Sequence, residues 1–399
     1  MHISIFEKCH SFTRAREVMA AGYYPYFVPI ERSTSTEAYV DGKRKVMVGS
    51  NNYMGLTHHP CVIEAAQAAL QKYGSGCTGS RFLNGNMDLH ERLEARLAKF
   101  IGTEAALVFS TGYQTNLGVI GTLVGRNDRV YLDKLDHASI VDGSRLSYGE
   151  VARFKHGDLE GLRRQLMADS AANGNGGGRM VIVDGVFSME GDIADVPNLV
   201  EVCDEFGAAL VVDDAHAIGY LGPTGAGTAE HFGLTDRVAL TIGTFSKSFA
   251  SIGGFVAGPE SVIHYLRHHA RSLIFSASMP PAAVATVLAA LDVIQREPER
   301  RERLWQITHR MMEEFRGLGF EIGPTQTPII PIMVGPMDKT FMFWKEVFDA
   351  GVFTNPVMPP AVPENSCRLR TSYIAEHTDE QLDFVLETFA KVGKKLAVV

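Results

Sequence analysis

Five short segments constrain this chain more than any other feature: AALVFS (from Ala105), RVYL (from Arg129), MVIVDG (from Met180), AALVVDD (from Ala208) and VALTIG (from Val238). Each is apolar at nearly every position and rich in β-branched residues. A strand with one wet face alternates polar and apolar residues, whereas a strand apolar on both faces must be covered on both. Helical stretches, the first of them PCVIEAAQAALQKYG from Pro60, alternate with these segments. The alternation predicts an α/β fold: an open, mostly parallel central sheet with helices on each side. Sites in such sheets lie in the crevice at the carboxyl ends of the strands.

Polar groups follow each segment. Thr111, Gly112 and Tyr113 follow the first, His137 the second, and Ser188 the third. Asp213, Asp214 and His216 follow the fourth, and Thr244, Ser246 and Lys247 the fifth. Taken singly, each has an ordinary structural reading. An aspartate after a strand can cap the next helix, a lone histidine is more often structural, and a loop lysine is usually solvated.

The surroundings of Lys247 argue otherwise. It is the only charge in TIGTFSKSFASIGGF, Thr241 to Phe255, among hydroxyls, glycines and apolar residues. A lysine desolvated there has a depressed pKa and becomes a usable amine nucleophile. A buried aspartate can hold a pyridine nitrogen protonated, and a histidine can lie on a heteroaromatic ring. Glycine and hydroxyl loops at helix starts can bind phosphate. Together these are the parts needed to hold pyridoxal phosphate, an electron sink for a carbanion at an amino-acid α-carbon. No metal site is expected.

The 399 residues carry a net charge of -8, which disfavours nucleic acid as a main partner. Five cysteines without a CxxC pair read as reduced thiols of a cytoplasmic protein. The first 22 residues lack an apolar h-region, so no signal peptide is expected. No apolar run is long enough to span a membrane. Residues 1–45 read as an N-terminal arm, with a short helix closed by Gly22, an extended GYYPYFVPI and the start of an Asp-Gly hairpin in EAYVDGKRKVMVGS. Residues 46–285 read as a large cofactor-binding domain, with a flexible surface loop at Gly174 to Gly178. Residues 286–399 read as a smaller α+β domain. It has one long helical segment after Pro280 and a final helix capped by Thr378 and Gln381.

The motifs NNYMGLTHHP, GSGCTGSRFLNGNMDLHERLE, FSTGYQTNLG, LDHASIVDGSRL, DGVFSMEGD, VVDDAHAIGYLGPTGAGT, GTFSKSFASIGGF and CRLRTSYIAEHT occur in order along the chain. They resemble the α-oxoamine synthases, fold-type I pyridoxal phosphate enzymes that condense an amino acid with an acyl thioester and release carbon dioxide. The resemblance implies that Lys247 bonds to the cofactor and that Asp213 partners its ring nitrogen. It places His137 on the ring and near the substrate carboxylate, with His216 and Ser188 by the phenolic oxygen. Thr111, Gly112, Tyr113, Thr244 and Ser246 would meet the phosphate, and Lys247, His137 and Asp213 would be the catalytic set. Of the two arginines in CRLR, Arg370 matches the carboxylate-binding one, and Asn51 matches an asparagine near the substrate. It further implies a homodimer in which FSASMPP, Phe275 to Pro281, enters the partner's site.

The match is strongest to the branch that joins L-serine to a long-chain acyl thioester, carried by coenzyme A or a carrier protein, to form 3-ketosphinganine. Peripheral membrane contact is compatible with that chemistry. The rival readings are a glycine- or alanine-using member of the family and an inactive scaffold subunit of a heteromeric synthase.

Overall fold

The computed structural model describes residues 4–173 and 176–399. Seven strands form the central sheet: β1 (Ala105–Phe109), β2 (Arg129–Asp133), β3 (Glu150–Phe154), β4 (Arg179–Asp184), β5 (Ala209–Asp213), β6 (Leu240–Thr244) and β7 (Gly254–Gly258). Their spatial order is β1-β7-β6-β5-β4-β2-β3. Every pair is parallel except those made by β7, which runs antiparallel to both β1 and β6. The five apolar segments all become strands. The other two were not expected. Strand β3 lies at an edge and is largely exposed, so its sequence lacks the two-faced apolar signal. Strand β7 hides its signal between two glycines.

Alternate residues of a strand enter opposite cores. Val211 of β5 joins the core lined by Val119 and Ile120 of α1 (Gly112–Leu123) and Ile140 of α2 (Ala138–Leu146). Leu210 and Val212 join the other core, with Leu199 and Val200 of α3 (Val196–Phe206). Two residues on from Val211, Asp213 keeps its parity and points to the α1 side.

The segment expected as one long helix after Pro280 is two, α4 (Pro281–Arg296) and α5 (Glu299–Gly317). The break falls at Pro298, where the ring removes a backbone donor. In the C-terminal part, β8 (Ile329–Gly335), β10 (Asn355–Val357) and β11 (Cys367–Ser372) form an antiparallel sheet in the order β8-β11-β10. Between them in sequence, β9 (Val352–Phe353) pairs in parallel with Lys43–Met47, the second strand of the Asp-Gly hairpin. At its turn Asp41 and Gly42 have φ of 51° and 69°, the left-handed values a two-residue hairpin loop requires.

Helix α6 (Asp379–Lys395) carries the expected capping box of Thr378 and Gln381 and buries Leu382, Val385, Leu386, Phe389 and Val392. The N-terminal helix is two short ones, Glu7–His10 and Arg14–Ala20. Of the glycine-rich stretch from Gly174, the first two residues lie outside the described residues, and Gly176, Gly177 and Gly178 are exposed. Among the described residues no helix is long and apolar enough to cross a membrane, and no cluster of His, Cys, Asp and Glu could hold a metal ion.

Candidate active site

A cavity of about 420 Å³ opens at the carboxyl ends of the strands. One end of it is the start of α1. The Thr111 hydroxyl accepts from the Gln114 N–H at 3.0 Å and caps that helix. A Cβ on Gly112 would lie 2.8 Å from Thr244 Oγ1, and one on Gly254 would lie 2.6 Å from Gly112 Cα. Only glycine lets these loops approach so closely. Thr244 Oγ1 donates to the Gly253 carbonyl at 3.1 Å and sits 3.0 Å from Ser246 Oγ. Tyr113 donates to Asp142 from the first turn. Backbone N–H groups at a helix start, ringed by hydroxyls, make a cradle for a phosphate.

The centre of the cavity is electrostatic. Asp213 and Asp184 are directly paired in the β4–β5 register, so their side chains lie side by side on the α1 face. Asn116, one turn into α1, donates from Nδ2 to Asp213 Oδ2 at 2.7 Å and to Ser139 Oγ at 2.9 Å. The Ala215 N–H donates to Asp213 Oδ1 at 3.0 Å. Burial, reinforced by the Asp213 charge and opposed by Lys247, holds the Asp184 carboxyl well above the usual range. Lys247 is only partly exposed, and that surface faces the cavity. Burial lowers its pKa to about 8 despite the raising effect of Asp213 and Asp184, with Arg370 lowering it further.

Two histidines flank this centre. His137 caps α2, its Nδ1 lying 2.8 Å from Ser139 Oγ, and its backbone N–H donates to Asp184 Oδ2 at 3.0 Å. Burial lowers its pKa, and Lys247 adds to that. His216 is buried and held well below the ordinary histidine value by burial, then by Lys247, Arg370 and His137. Its Nδ1 lies 2.8 Å from the Tyr53 hydroxyl.

The structure therefore gathers Thr111, Gly112, Tyr113, His137, Ser188, Asp213, His216, Thr244, Ser246 and Lys247 around one cavity. Asn51 and Arg370 stand behind that wall. Asn51 Oδ1 accepts from the Tyr53 hydroxyl at 3.3 Å. Arg370, buried on β11, donates from Nε to the Ser188 carbonyl at 2.5 Å and from Nη1 to Ser372 Oγ at 2.7 Å. Its Nη2 is buried with no hydrogen-bond partner among the described residues. Arg368, on the same face of the strand, is taken up by Glu190, Met189 O and Ser366 O. The pairing distinguishes the two arginines where sequence spacing does not.

Sequence reasoning missed Tyr53, Asn116, Ser139 and Asp184. Asn116 had a readable signal: it is four residues after Gly112, one helical turn, on the face toward Asp213. Asp184 likewise ends a strand whose neighbour ends in Asp213. Tyr53 had none, because it reaches the site from outside the central sheet.

The model of the aminotransferase class I and II family matches residues 43–389. A serine palmitoyltransferase of Sphingobacterium spiritivorum is 50% identical over 392 residues, covering 98% of this chain and 97% of that one. The chain belongs to the aminotransferase class I and II family, and within it to the α-oxoamine synthases. An 8-amino-7-oxononanoate synthase of Thermoanaerobacter pseudethanolicus is 40% identical over 386 residues, 97% of each chain. A solved structure of SPT with a PLP internal aldimine superposes with a TM-score of 0.96 at 36% identity, covering both chains completely.

The donor set of this α-oxoamine synthase fits pyridoxal phosphate. It offers one lysine amine of lowered pKa, a buried carboxylate fixed by two donors, and an anion cradle. Arg370 Nη2 and Asn116 Oδ1 are buried polar atoms still lacking partners, which buried groups seldom do.

Proposed function

We propose that this chain is a serine palmitoyltransferase, joining L-serine to a long-chain acyl thioester with loss of carbon dioxide to give 3-ketosphinganine. The observation that carries the reading is 50% identity over nearly the whole chain to a serine palmitoyltransferase, against 40% to an 8-amino-7-oxononanoate synthase. When bound, pyridoxal phosphate supplies an aldehyde for a lysine amine and a protonated ring that takes up the electron pair left at the amino-acid α-carbon.

The chain's own residues do the rest. Lys247, partly neutral near neutral pH, would hold the cofactor covalently through Nζ, and the same amine, once free, would take the serine α-proton. Asp213 keeps the ring nitrogen protonated, and Asn116 holds the carboxylate in place for that task. The start of α1, with Thr111, Gly112 and Tyr113, and the hydroxyls of Thr244 and Ser246 hold the phosphate. His216 and Ser188 flank the phenolic oxygen, and His137 covers the ring. The unpaired Nη2 of Arg370 takes the serine carboxylate with help from His137, and a guanidinium fork suits that anion. Holding the carboxylate would present the serine Cα–H bond to Lys247 Nζ for proton removal. Asn51 acts at the edge of the substrate.

The active unit is a homodimer, with Phe275 to Pro281 reaching the partner's site. Coenzyme A carries the acyl group, with a carrier protein as the other donor, and the enzyme works in the cytoplasm.

The test is competition between L-serine, glycine and L-alanine on one palmitoyl-coenzyme A donor, read by thiol and carbon dioxide release. Serine should win by tenfold or more, about 1.4 kcal/mol in transition-state binding. A tenfold win for glycine or alanine would move the chain to a sister activity.

A further inference from the structure

The loop Phe187–Asp192 is tied from two sides. From the C-terminal part, Arg370 Nε donates to the Ser188 carbonyl at 2.5 Å, and Arg368 Nη1 donates to Met189 O and Glu190 Oε1, both at 3.2 Å. The hydroxyl of Thr327 and the backbone N–H of Gln326 donate to the Gly191 carbonyl at 2.8 and 3.0 Å. From the central sheet, among the described residues, one side chain holds it. His156 follows edge strand β3 and bridges two carboxylates, with Nε2 2.9 Å from Asp192 Oδ2 and Nδ1 3.2 Å from Asp133 Oδ2. Its ring meets Phe187 edge-on, centroids 4.3 Å apart. Asp133 is itself fixed at the end of β2 by the N–H groups of Leu135 and Gly157.

We propose that His156 is a positioning residue for the substrate carboxylate site: by clamping Asp192 to Asp133 it fixes the loop whose Ser188 carbonyl aims Arg370. This rests on the reading of Arg370 as the carboxylate anchor. The two carboxylates keep the imidazole protonated, lifting its pKa to about 10, so both ring nitrogens donate at neutral pH. An imidazolium between two aspartates is a directional link. Lost, it leaves Asp192 beside Glu190 on the loop whose Ser188 carbonyl accepts from Arg370 Nε. The guanidinium then loses its orientation, while Lys247, Asp213 and the phosphate cradle, on other loops, keep theirs.

Three variants of the full chain, each loaded with pyridoxal phosphate, test this: His156→Gln, Asp192→Asn and Arg370→Lys. Serine binding is read without thioester, from the change in visible absorbance. For His156→Gln and Asp192→Asn, the Kd and KM for serine should rise about fivefold or more. kcat should fall too, because the same anchor orients the serine Cα–H bond, while the KM for the thioester should not change. Hydrogen exchange at the amides of Phe187, Gly191 and Ala194 should quicken in both, with or without cofactor. Unchanged serine affinity in both variants, or an equal rise in the KM for the thioester, would overturn the clamp. Arg370→Lys separates the two layers. If it leaves serine affinity intact, the anchor reading fails. If it weakens serine while His156→Gln does not, the clamp alone fails.

Discussion

The Tyr53 hydroxyl sits 2.8 Å from His216 Nδ1, and both residues are buried. The same hydroxyl reaches Asn51, so one side chain joins the N-terminal segment to the wall of the cavity. Tyr53→Phe keeps the ring's packing against Tyr220, at 5.1 Å between centroids, and removes only the polar atom. A buried nitrogen left unpaired costs about 1–3 kcal/mol. We expect a lower melting temperature and a shifted visible spectrum of the bound cofactor. A variant identical to the parent in both would show that His216 is oriented by other contacts.

Lys247 gives a prediction with a sign. Its pKa is lowered to about 8, so the amine gains its lone pair as pH rises through that value. Reconstitution of cofactor-free enzyme with pyridoxal phosphate, followed by visible absorbance, should accelerate between pH 7 and 9. Lys247→Ala should abolish the borohydride-trapped bond altogether. A rate flat across that window, or trapping at another lysine with turnover retained, contradicts the assignment.

Much of this was legible in the sequence because the central strands are apolar on both faces, and that one property dictates the sheet, its covering helices and the edge where polar groups emerge. Eleven residues were named by looking there; ten line the cavity, and Asp214 is instead buried against Thr228. What was not legible depended on contacts between distant segments. Tyr53 comes from the N-terminal side, Arg370 is distinguished from Arg368 only by who pairs with Glu190, and His156 matters through a loop 36 residues away. Strand β7 was lost because glycine reads as a turn, although here it permits the close approach of Gly254 to Gly112.

Asp213 tests the electron sink. Two donors fix its carboxylate, from Asn116 and Ala215. Asp213→Asn preserves the shape but cannot hold a proton on the ring nitrogen by charge. Serine should still bind, while exchange of its α-proton in deuterated water should fall by about a hundredfold or more, the scale of a lost proton-transfer partner. Exchange at the parent rate would remove Asp213 from that role.

The homodimer reading predicts mass and activity together. Phe275 is 74% exposed in the isolated chain and Leu83 is 78% exposed, in the segments around Met279 and Gly79 that are joined by the Ser278 N–H to the Gly79 carbonyl at 2.9 Å. Sedimentation should give a dimer at assay concentrations. Leu83→Asp combined with Phe275→Asp should yield monomers of low activity. An active monomer would refute the shared site.

The arm residues Tyr23 to Ile30 bear on chain length. Phe27 has φ of 55° and is 93% exposed, and Tyr26 and Ile30 are nearly half exposed. A left-handed backbone at a bulky residue is strained and persists only where something holds it. In the isolated chain it presents an aromatic ring to open space rather than to the protein's own core, an apolar surface that, on the proposed function, would meet the acyl chain. Burying one methylene is worth about 0.8 kcal/mol, roughly fourfold in kcat/KM at each step. Specificity should therefore climb with acyl length from eight carbons and level off near sixteen, where the apolar surface is used up. Tyr26→Ser with Phe27→Ser should cut kcat/KM for the sixteen-carbon donor about tenfold and for the eight-carbon donor less than about threefold, since the shorter chain ends before the arm. Melting temperature should hardly change, because both side chains lie outside the core. Equal losses for the two donors would mean that the arm does not touch the acyl chain and that length selection resides in the walls of the cavity.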